Sequence, residues 1–122
     1  MRTVVVDGAN VVGSRPDGWW RDRAGAATRL YTGLSRLTGL DLEFVLVLEG
    51  AARAAELPRA EPAAAVRVVL AEGSGDDTIA ALATEGTLVV TADRELRRRC
   101  EQRGAEVLGA GWLLGLLEAG HS

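Results

Sequence analysis

Short runs of β-branched and aliphatic residues recur along the whole chain, and segments with helical spacing separate them. Apolar runs this short, bounded by acids, glycines or prolines, are typical of buried strands. They predict strands at residues 3–6, 43–48, 66–70, 87–91 and 106–108. Because strands that alternate with helices form parallel sheets with right-handed crossovers, the pattern predicts an α/β fold with helices on both faces of the sheet.

The segments between these strands supply the predicted helices and loops. Helices are expected at residues 20–37, 51–56, 76–85, 93–103 and 111–119, and loops at 7–19, 57–65 and 71–75. In the first helix, apolar residues recur at spacings of three and four, which indicates one buried face. The chain has 122 residues without an internal repeat or linker, so we expect a single domain over residues 1–122.

Several residue types that carry chemistry are rare or missing. All 14 basic residues are arginine, which excludes a P-loop lysine, a Schiff base and the lysine of a receiver domain. The one histidine is His121, which argues against a histidine triad or a zinc cluster. The one cysteine, Cys100, is expected to be a small residue on a helix face and has no partner for a disulfide within the chain.

The charge and hydropathy patterns narrow the choice of partners. A net charge of −3 does not predict a basic surface that binds nucleic acid over the whole protein. An anionic partner would therefore bind through local arginine clusters or through metal ions. No apolar run approaches the roughly 18 residues of a membrane span. The sequence begins directly with a strand and shows no signal peptide, so we expect a cytoplasmic protein without membrane contact.

Acidic residues follow the predicted strands at the edge where parallel strands end. Asp7, Glu49 and Asp93 come after strands one, two and four, and Asp76 and Asp77 begin the helix after strand three. If the strand order is 3-2-1-4-5, strands one and four are neighbours and their acids face each other. Carboxylates gathered without lysine or histidine repel one another unless a cation offsets their charge. Mg²⁺ or Mn²⁺ would do so, and would polarise a phosphoryl oxygen and activate a bound water.

The same acids also have structural interpretations. Ser74 to Asp77 resembles a capping box, in which Asp77 would stabilise the first helical turn. Asp93 is a candidate N-cap for the helix after it. Asp7 follows a strand and starts no obvious helix, so a purely structural role is harder to assign to it.

Three blocks of the sequence resemble one protein family. VVVDGAN, GDDTIAALA and LVVTADREL are similar to blocks of the NYN branch of the PIN-like nucleases, with the bacterial YacP-like group the nearest, and they occur in the family's order. The resemblance covers residues 3 to about 117. It implies a PIN-like three-layer α/β/α sandwich and a metal-dependent hydrolysis of phosphodiester bonds, usually in RNA.

The resemblance also implies roles for individual residues. Asp7 matches the family's first metal-binding aspartate, and Asn10 matches the asparagine that supports it. Asp93 matches the aspartate of the T-x-D block, with Thr91 as its supporting hydroxyl.

The remaining matches are less regular. Asp76 or Asp77 matches the mid-chain metal-binding acid, and the doubled aspartate leaves the choice open. Glu49 stands where several relatives have an aspartate, and we expect its longer side chain to lie outside the direct ligands. Arg97 stands where some eukaryotic relatives carry another acid, so that contact is missing.

A nuclease must also hold the strand on either side of the cleaved bond. Arginines interleaved with aromatic residues are typical of single-strand binding. The candidates in the loop after strand one and at the site itself are Arg15, Trp19, Trp20, Arg21, Arg23 and Arg94, with Arg29 nearby. One of the two tryptophans is an equal candidate for packing under the loop. The other arginines of residues 93–103 are expected to form a solvated face with ion pairs inside the helix.

The leading hypothesis is a Mg²⁺- or Mn²⁺-dependent nuclease that cleaves single-stranded RNA with a metal-activated water. One alternative is a phosphohydrolase acting on nucleotides or small phosphates, and another is a non-catalytic PIN-like module that binds RNA or protein. A haloacid-type phosphatase is disfavoured because it needs D-x-D after strand one, and position 9 is alanine. The apolar last helix could dock on its own sheet or on a second copy, which would form a homodimer.

Overall fold

The computed structural model describes residues 1–15, 17–57 and 65–119, and these form a five-stranded sheet in which every strand pair is parallel. The strand order is β3-β2-β1-β4-β5, which confirms the predicted α/β class and the order 3-2-1-4-5. The strands are β1 (Arg2–Asp7), β2 (Leu42–Leu48), β3 (Val66–Leu70), β4 (Leu88–Val90) and β5 (Glu106–Leu108). Pro16, most of the predicted loop at 57–65 and His121 lie outside the described residues.

Within the described ranges, five α-helices and two 3₁₀ helices lie between or after these strands. The α-helices are α1 (Gly8–Gly13), α2 (Arg23–Ser35), α3 (Gly75–Leu82), α4 (Arg94–Gln102) and α5 (Ala110–Ala119). The 3₁₀ helices are Trp19–Arg21 and Gly50–Ala54. The predicted helix at 20–37 is divided, because Asp22 caps α2 by accepting a hydrogen bond from the Gly25 amide. Helix α3 ends before Glu85, and Gly86, at φ 88°, lies in the turn before β4.

Residues 7–19, predicted as a loop, contain helix α1, and that prediction is wrong. Asp7 is the N-cap of α1, since its side chain accepts a hydrogen bond from the Asn10 amide. Helix α1 has six residues, which is too short to show a helical period in the sequence. Gly8 lets it start against β2, because a Cβ there would lie 2.5 Å from the Val47 carbonyl oxygen.

Apolar side chains cover both faces of the sheet. Alternate strand residues point to opposite faces, so Val4 and Val6 join one core with Phe44, while Val5 joins the other with Val45. Helices α1, α2 and α5 cover the first face, and α3 and α4 cover the second. The arrangement is therefore three layers, and it holds the carboxyl ends of β1, β2 and β4 along one edge.

Two expectations about the last two helices can be compared with this packing. Cys100 is fully buried in the second core, as expected for a small helix-face residue, and burial raises the pKa of its thiol. Leu113 and Leu117 of α5 are buried in the first core, so α5 docks on its own sheet, and a homodimer stays a prediction. Among the described residues, no helix combines the length and the apolar character that crossing a membrane requires.

Candidate active site

Four carboxylates project from the ends of β1, β2 and β4 and from the first turn of α3. These are Asp7, Glu49, Asp93 and Asp76, and we refer to them as the carboxylate edge. Burial is the main cause of the raised pKa values of Asp7 and Asp76, and neighbouring charges add to it: those of Asp76 and Glu49 act on Asp7, and that of Asp93 acts on Asp76. The topology thus places acids that are far apart in the sequence within electrostatic reach of one another.

Asp7 is the most deeply buried of these acids, with only 6% of its surface exposed. Its Oδ1 accepts a hydrogen bond from the Asn10 amide at 3.2 Å, and its Oδ2 accepts one from the Thr91 hydroxyl at 2.8 Å. Burial raises the pKa of Asp7 above its ordinary value, and these two hydrogen bonds offset part of that rise. The two hydrogen bonds therefore fix the orientation of the Asp7 carboxylate, although burying its charge costs free energy.

Asn10 and Thr91 tie the end of β1 to the segment after β4. The Asn10 side-chain Oδ1 accepts a hydrogen bond from the Ala92 amide at 3.0 Å. The Thr91 Oγ1, which donates to Asp7, also accepts a hydrogen bond from the Asp93 amide at 3.2 Å. Thr91 is fully buried, so its hydrogen bond to Asp7 is shielded from water, whereas the bond between Asn10 and Ala92 is exposed. The Thr91 side chain thus contacts Asp7 directly, whereas the Asn10 side chain contacts the backbone of Ala92 and only the Asn10 amide contacts Asp7.

Asp93 begins α4 and lies at the surface. Its Oδ1 accepts a hydrogen bond from the Leu96 amide at 2.9 Å, so the N-cap that the sequence suggested is present. One carboxylate oxygen is used in the cap, and the side chain remains exposed. Capping and a place at the carboxylate edge are therefore compatible for this residue.

The adjacent acids Asp76 and Asp77 have different surroundings. Burial raises the pKa of Asp76, and the charges of Asp93 and Glu49 raise it further. The Asp77 side chain is 84% exposed and forms an ion pair with Arg99 Nη2 of α4 at 3.0 Å. Asp76 thus interacts with Asp93 and Glu49, whereas the carboxylate of Asp77 is paired with Arg99.

Ser74 is the N-cap of α3, as the capping-box pattern predicted. Its hydroxyl accepts a hydrogen bond from the Asp76 amide at 3.2 Å. The carboxylate of Asp77 pairs with Arg99 on α4, so its described contact stabilises the α3–α4 packing. Asp77 lies in the first turn of α3, as predicted, and its carboxylate in addition joins this helix to α4.

Glu49 has a structural contact that the sequence did not reveal. Its Oε2 accepts a hydrogen bond from the Gly75 amide at 3.0 Å, which joins the end of β2 to the first turn of α3. A Cβ at position 75 would lie 3.2 Å from Glu49 Oε1, so glycine allows this close approach. Glu49 thereby sets the position of the turn that carries Asp76.

The carboxylate oxygens of the edge suit one class of cation, although they are not arranged as a closed coordination shell. Among the residues that the structure describes, no three acidic, histidine or cysteine side chains form a ready-made metal cluster. The donors at the edge are carboxylate oxygens, which suit hard divalent cations rather than zinc. Mg²⁺ keeps several of its waters and usually needs only one or two protein carboxylates. The residues therefore fit Mg²⁺ or Mn²⁺ in a hydrated site.

Two tryptophans and two arginines form a separate surface, the tryptophan–arginine surface (Trp19, Trp20, Arg21 and Arg23). Trp19 is half-buried against the first core, whereas Trp20 is 57% exposed, so Trp19 is the one that packs under the loop. The two rings meet edge to face with centroids 6.0 Å apart. The Arg21 guanidinium lies 5.9 Å from the Trp20 ring centroid, and that of Arg23 lies 5.5 Å from the Trp19 ring centroid.

Arg15, which the sequence grouped with these residues, lies elsewhere. It lines a groove on the outer side of α2 together with Arg29 and Arg36. Arg29 is ion-paired with Asp17 at 3.6 Å. Sequence reasoning missed Arg36, although its position seven residues after Arg29 places both on one face of α2.

The arginines in and next to α4 differ in their contacts: one is exposed at the carboxylate edge, and others bind to α3 or to the residue after it. Arg94 is exposed directly after Asp93, which leaves it accessible to a ligand at the carboxylate edge. Arg99 pairs with Asp77, and the Arg103 Nε donates a hydrogen bond to the Ala83 carbonyl oxygen at 2.8 Å. Among the described residues, α4 has one ion pair with α3 and none within itself, so the predicted internal pairs are wrong.

Comparison with known proteins identifies the fold. No family model matches the chain, and no curated protein matches its sequence. Two crystal structures of Rae1 (YacP) from Bacillus subtilis, one of a substituted variant, are similar in structure. One has a TM-score of 0.77 with 21% identity over 99% of this chain and 76% of that chain. The variant has a TM-score of 0.76 with 20% identity over 99% of this chain and 77% of that chain.

YacP is also the name of the bacterial group that the three sequence blocks resemble. At this level of identity the likeness concerns the fold alone. The predicted three-layer α/β/α sandwich is therefore confirmed, and these two structures share its fold.

Proposed function

We propose that this chain is a divalent-metal-dependent nuclease that hydrolyses phosphodiester bonds in single-stranded RNA. The observation that carries the proposal is the carboxylate edge, where buried Asp7 and partly buried Asp76 both have raised pKa values. Such an arrangement destabilises the protein unless a cation offsets the charge. Perturbed pKa values of this kind are concentrated at functional sites.

Asp7, Asp76 and Asp93 are the residues that would hold Mg²⁺ or Mn²⁺, with Asp77 directed to Arg99 instead. The bound cation would supply Lewis-acid polarisation of a phosphoryl oxygen and a water of lowered pKa. The chain's own contribution is to fix the carboxylates: Thr91 holds Oδ2 of Asp7, and the Asn10 amide holds Oδ1. The sequence has no lysine, so arginines would contact the phosphates.

Single-stranded RNA is favoured over a duplex because of the tryptophan–arginine surface. An exposed indole such as Trp20 stacks on an unpaired base, which a duplex does not offer. Arg21, Arg23 and Arg94 are exposed and unpaired with acids among the described residues, so they are available to phosphates. The resemblance of the three sequence blocks to NYN nucleases supports RNA as the polymer.

The test is a cleavage assay with end-labelled single-stranded RNA, single-stranded DNA, duplex RNA and nucleoside triphosphates in Mn²⁺ or Mg²⁺. We expect cleavage of single-stranded RNA that is abolished by chelation and by Asp7→Asn or Asp93→Asn. Arg98→Gln, on the exposed side of α4, is the matched control and should cleave normally.

Two results would contradict the proposal. Absence of metal-dependent RNA cleavage would remove the nuclease assignment. Hydrolysis of triphosphates without cleavage of RNA would replace it with a small-phosphate phosphohydrolase.

A further inference from the structure

A pocket of about 280 Å³ opens beside the carboxylate edge, between α1, α2 and the 3₁₀ helix Gly50–Ala54. Its inner surface consists mostly of small residues, among them Ala9, Ala27 and Ala52. Trp19 and Arg23 line it on one side, and Glu49 lines it next to the carboxylate edge. The pocket is therefore apolar inside, with a flat aromatic and guanidinium wall.

We propose that this pocket receives one unpaired base of the RNA strand, from a nucleotide adjacent to the cleaved phosphate. The inference rests on the proposed nuclease function, and it adds a base-binding subsite to it. Unpaired bases stack on aromatic rings and on arginine planes, and Trp19 and Arg23 supply both in contact with each other. The small side chains opposite leave room for a flat ring system.

The position of the pocket relates it to the site of cleavage. Gly8, which lines the pocket, directly follows Asp7 in the chain, and Glu49 belongs to both the pocket lining and the carboxylate edge. A base held here would therefore leave its own phosphate close to Asp7. Glu49 would repel a phosphate inside the pocket, which favours the orientation with the base inward.

The wall of the pocket is held in place by the local structure. Asp22 caps α2 through the Gly25 amide at 2.9 Å, and Arg23 is the first residue of that helix. Besides its contact with Arg23, Trp19 packs against the first core. Because Trp19 packs on the core and the backbone of Arg23 is fixed at the start of α2, the pocket exists before a ligand arrives, which lowers the entropic cost of binding.

The volume favours a single base over a larger ligand. Pockets for drug-sized molecules span about 300–1,000 Å³, so this pocket is at or below the lower end of that range. The pocket is large enough for a single base, while the sugar and phosphate remain outside, toward Asp7.

The test measures binding by ligand-observed and protein-observed NMR, with adenosine 5′-monophosphate against ribose 5-phosphate as the base-free probe. We expect the nucleotide to bind the wild-type chain at least about tenfold more tightly, because the base adds a stacking contact. Ala52→Leu places a larger side chain in the pocket and should remove this difference. Ala51→Leu is the matched control, since Ala51 is exposed on the same 3₁₀ helix outside the pocket, and it should keep the difference.

A second readout does not depend on the folding of any variant. In the wild-type chain, nuclear Overhauser contacts are expected between the adenine protons and the Trp19 ring, with amide shifts at Ala9, Gly50 and Ala52. Equal affinity for the two probes, or adenine contacts confined to Trp20, would overturn the proposal.

The outcome is separable from that of the cleavage assay. Nucleotide binding requires neither metal nor turnover, so a failure to cleave RNA contradicts the nuclease function alone. A chain that cleaves RNA but shows no preference for adenosine 5′-monophosphate over ribose 5-phosphate contradicts the base pocket alone.

Discussion

The carboxylate edge and the tryptophan–arginine surface lie close together but are held in place by different interactions. At the edge, Asp7 is fixed by hydrogen bonds to Asn10 and Thr91, and Thr91 directly follows β4, 84 residues away in sequence. On the tryptophan–arginine surface, the contacts join residues within the segment 19–23 and are edge-to-face and cation–π contacts at 5.5–6.0 Å. The groups proposed for chemistry are thus fixed by tertiary hydrogen bonds, while those proposed for substrate contact are fixed locally.

The two regions also differ in their effect on the stability of the folded protein. At the edge, burial and mutual repulsion raise the pKa values of Asp7 and Asp76, so their ionised forms destabilise the fold near neutral pH. The tryptophan–arginine surface is largely exposed, so its charges are not destabilised by burial in this way. Under the proposed function a bound cation would offset this cost at the edge, so mutations in the two regions should have different effects on stability and activity.

The largest effect should distinguish two adjacent acids of the edge region. Asp76→Asn is expected to lower metal-dependent RNA cleavage more than about 100-fold, beyond the range of residues that only support a metal ligand. Asp77→Asn should change it less than about fivefold, because it removes only an exposed ion pair. Initial rates at saturating Mn²⁺ give the comparison, and equal losses in both variants would show that the carboxylate edge is assigned to the wrong aspartate.

A smaller effect is expected from the hydroxyl that holds Asp7. Thr91→Val should lower cleavage by about 10- to 100-fold, the usual range for the loss of a supporting contact. Since the Thr91 hydrogen bond holds down the pKa of Asp7, its loss should also shift the acidic limb of the pH–rate profile to higher pH.

Thr91→Ser, which keeps the hydroxyl, is the control for this prediction and should retain most activity and the wild-type pH profile. A profile that does not move in Thr91→Val would mean that this hydrogen bond leaves the charge of Asp7 unaffected.

Substitutions in the tryptophan–arginine surface should change the affinity for RNA rather than the rate of cleavage. Arg21→Gln is expected to weaken binding to single-stranded RNA and to reduce the slope of log K against log salt by about 1, as for one lost phosphate contact. The rate at saturating RNA should stay close to that of the wild type. Fluorescence titrations from low to high salt measure the slope, with Arg98→Gln as the control, and an unchanged slope for Arg21→Gln would exclude Arg21 from phosphate contact.

The smallest effect concerns stability, and it has the opposite sign to the loss of activity. Asp7→Asn should stabilise the metal-free protein at pH 7 by about 0.5–2 kcal/mol, because it removes a buried, repelled charge. The pKa of Asp7 is raised in the fold, so its contribution to stability is present below its unfolded value and lost as pH rises through the folded value. The advantage of Asp7→Asn should therefore vanish below about pH 4 and grow toward neutrality.

Thermal unfolding between acid and neutral pH measures this stability difference. Added Mn²⁺ should raise the melting temperature of the wild type more than that of Asp7→Asn, by mass action on the folded state. A variant less stable than the wild type at pH 7 would contradict the idea that Asp7 is held at a cost.

Much of the architecture follows from the sequence because it depends on local patterns. Short apolar runs predict the strands, since a strand buried on both faces excludes polar residues, and their alternation with helices requires parallel pairing. The acids follow the strands directly, so their arrival at one edge could be predicted as soon as the pairing was parallel. Helix α1 was missed because six residues carry no period, and the cap by Asp7 was missed with it.

Only the tertiary structure distinguished residues that are alike in sequence. Asp76 and Asp77 are both acids in the first turn of α3, and the position of Arg99 on another helix separates them. Trp19 and Trp20 are identical neighbours, and the first core buries one and leaves the other exposed. Consecutive helical residues point about 100° apart, so their partners depend on where other elements pack. The sequence by itself determines which chemical groups reach the edge of the sheet, and packing decides which of them face one another.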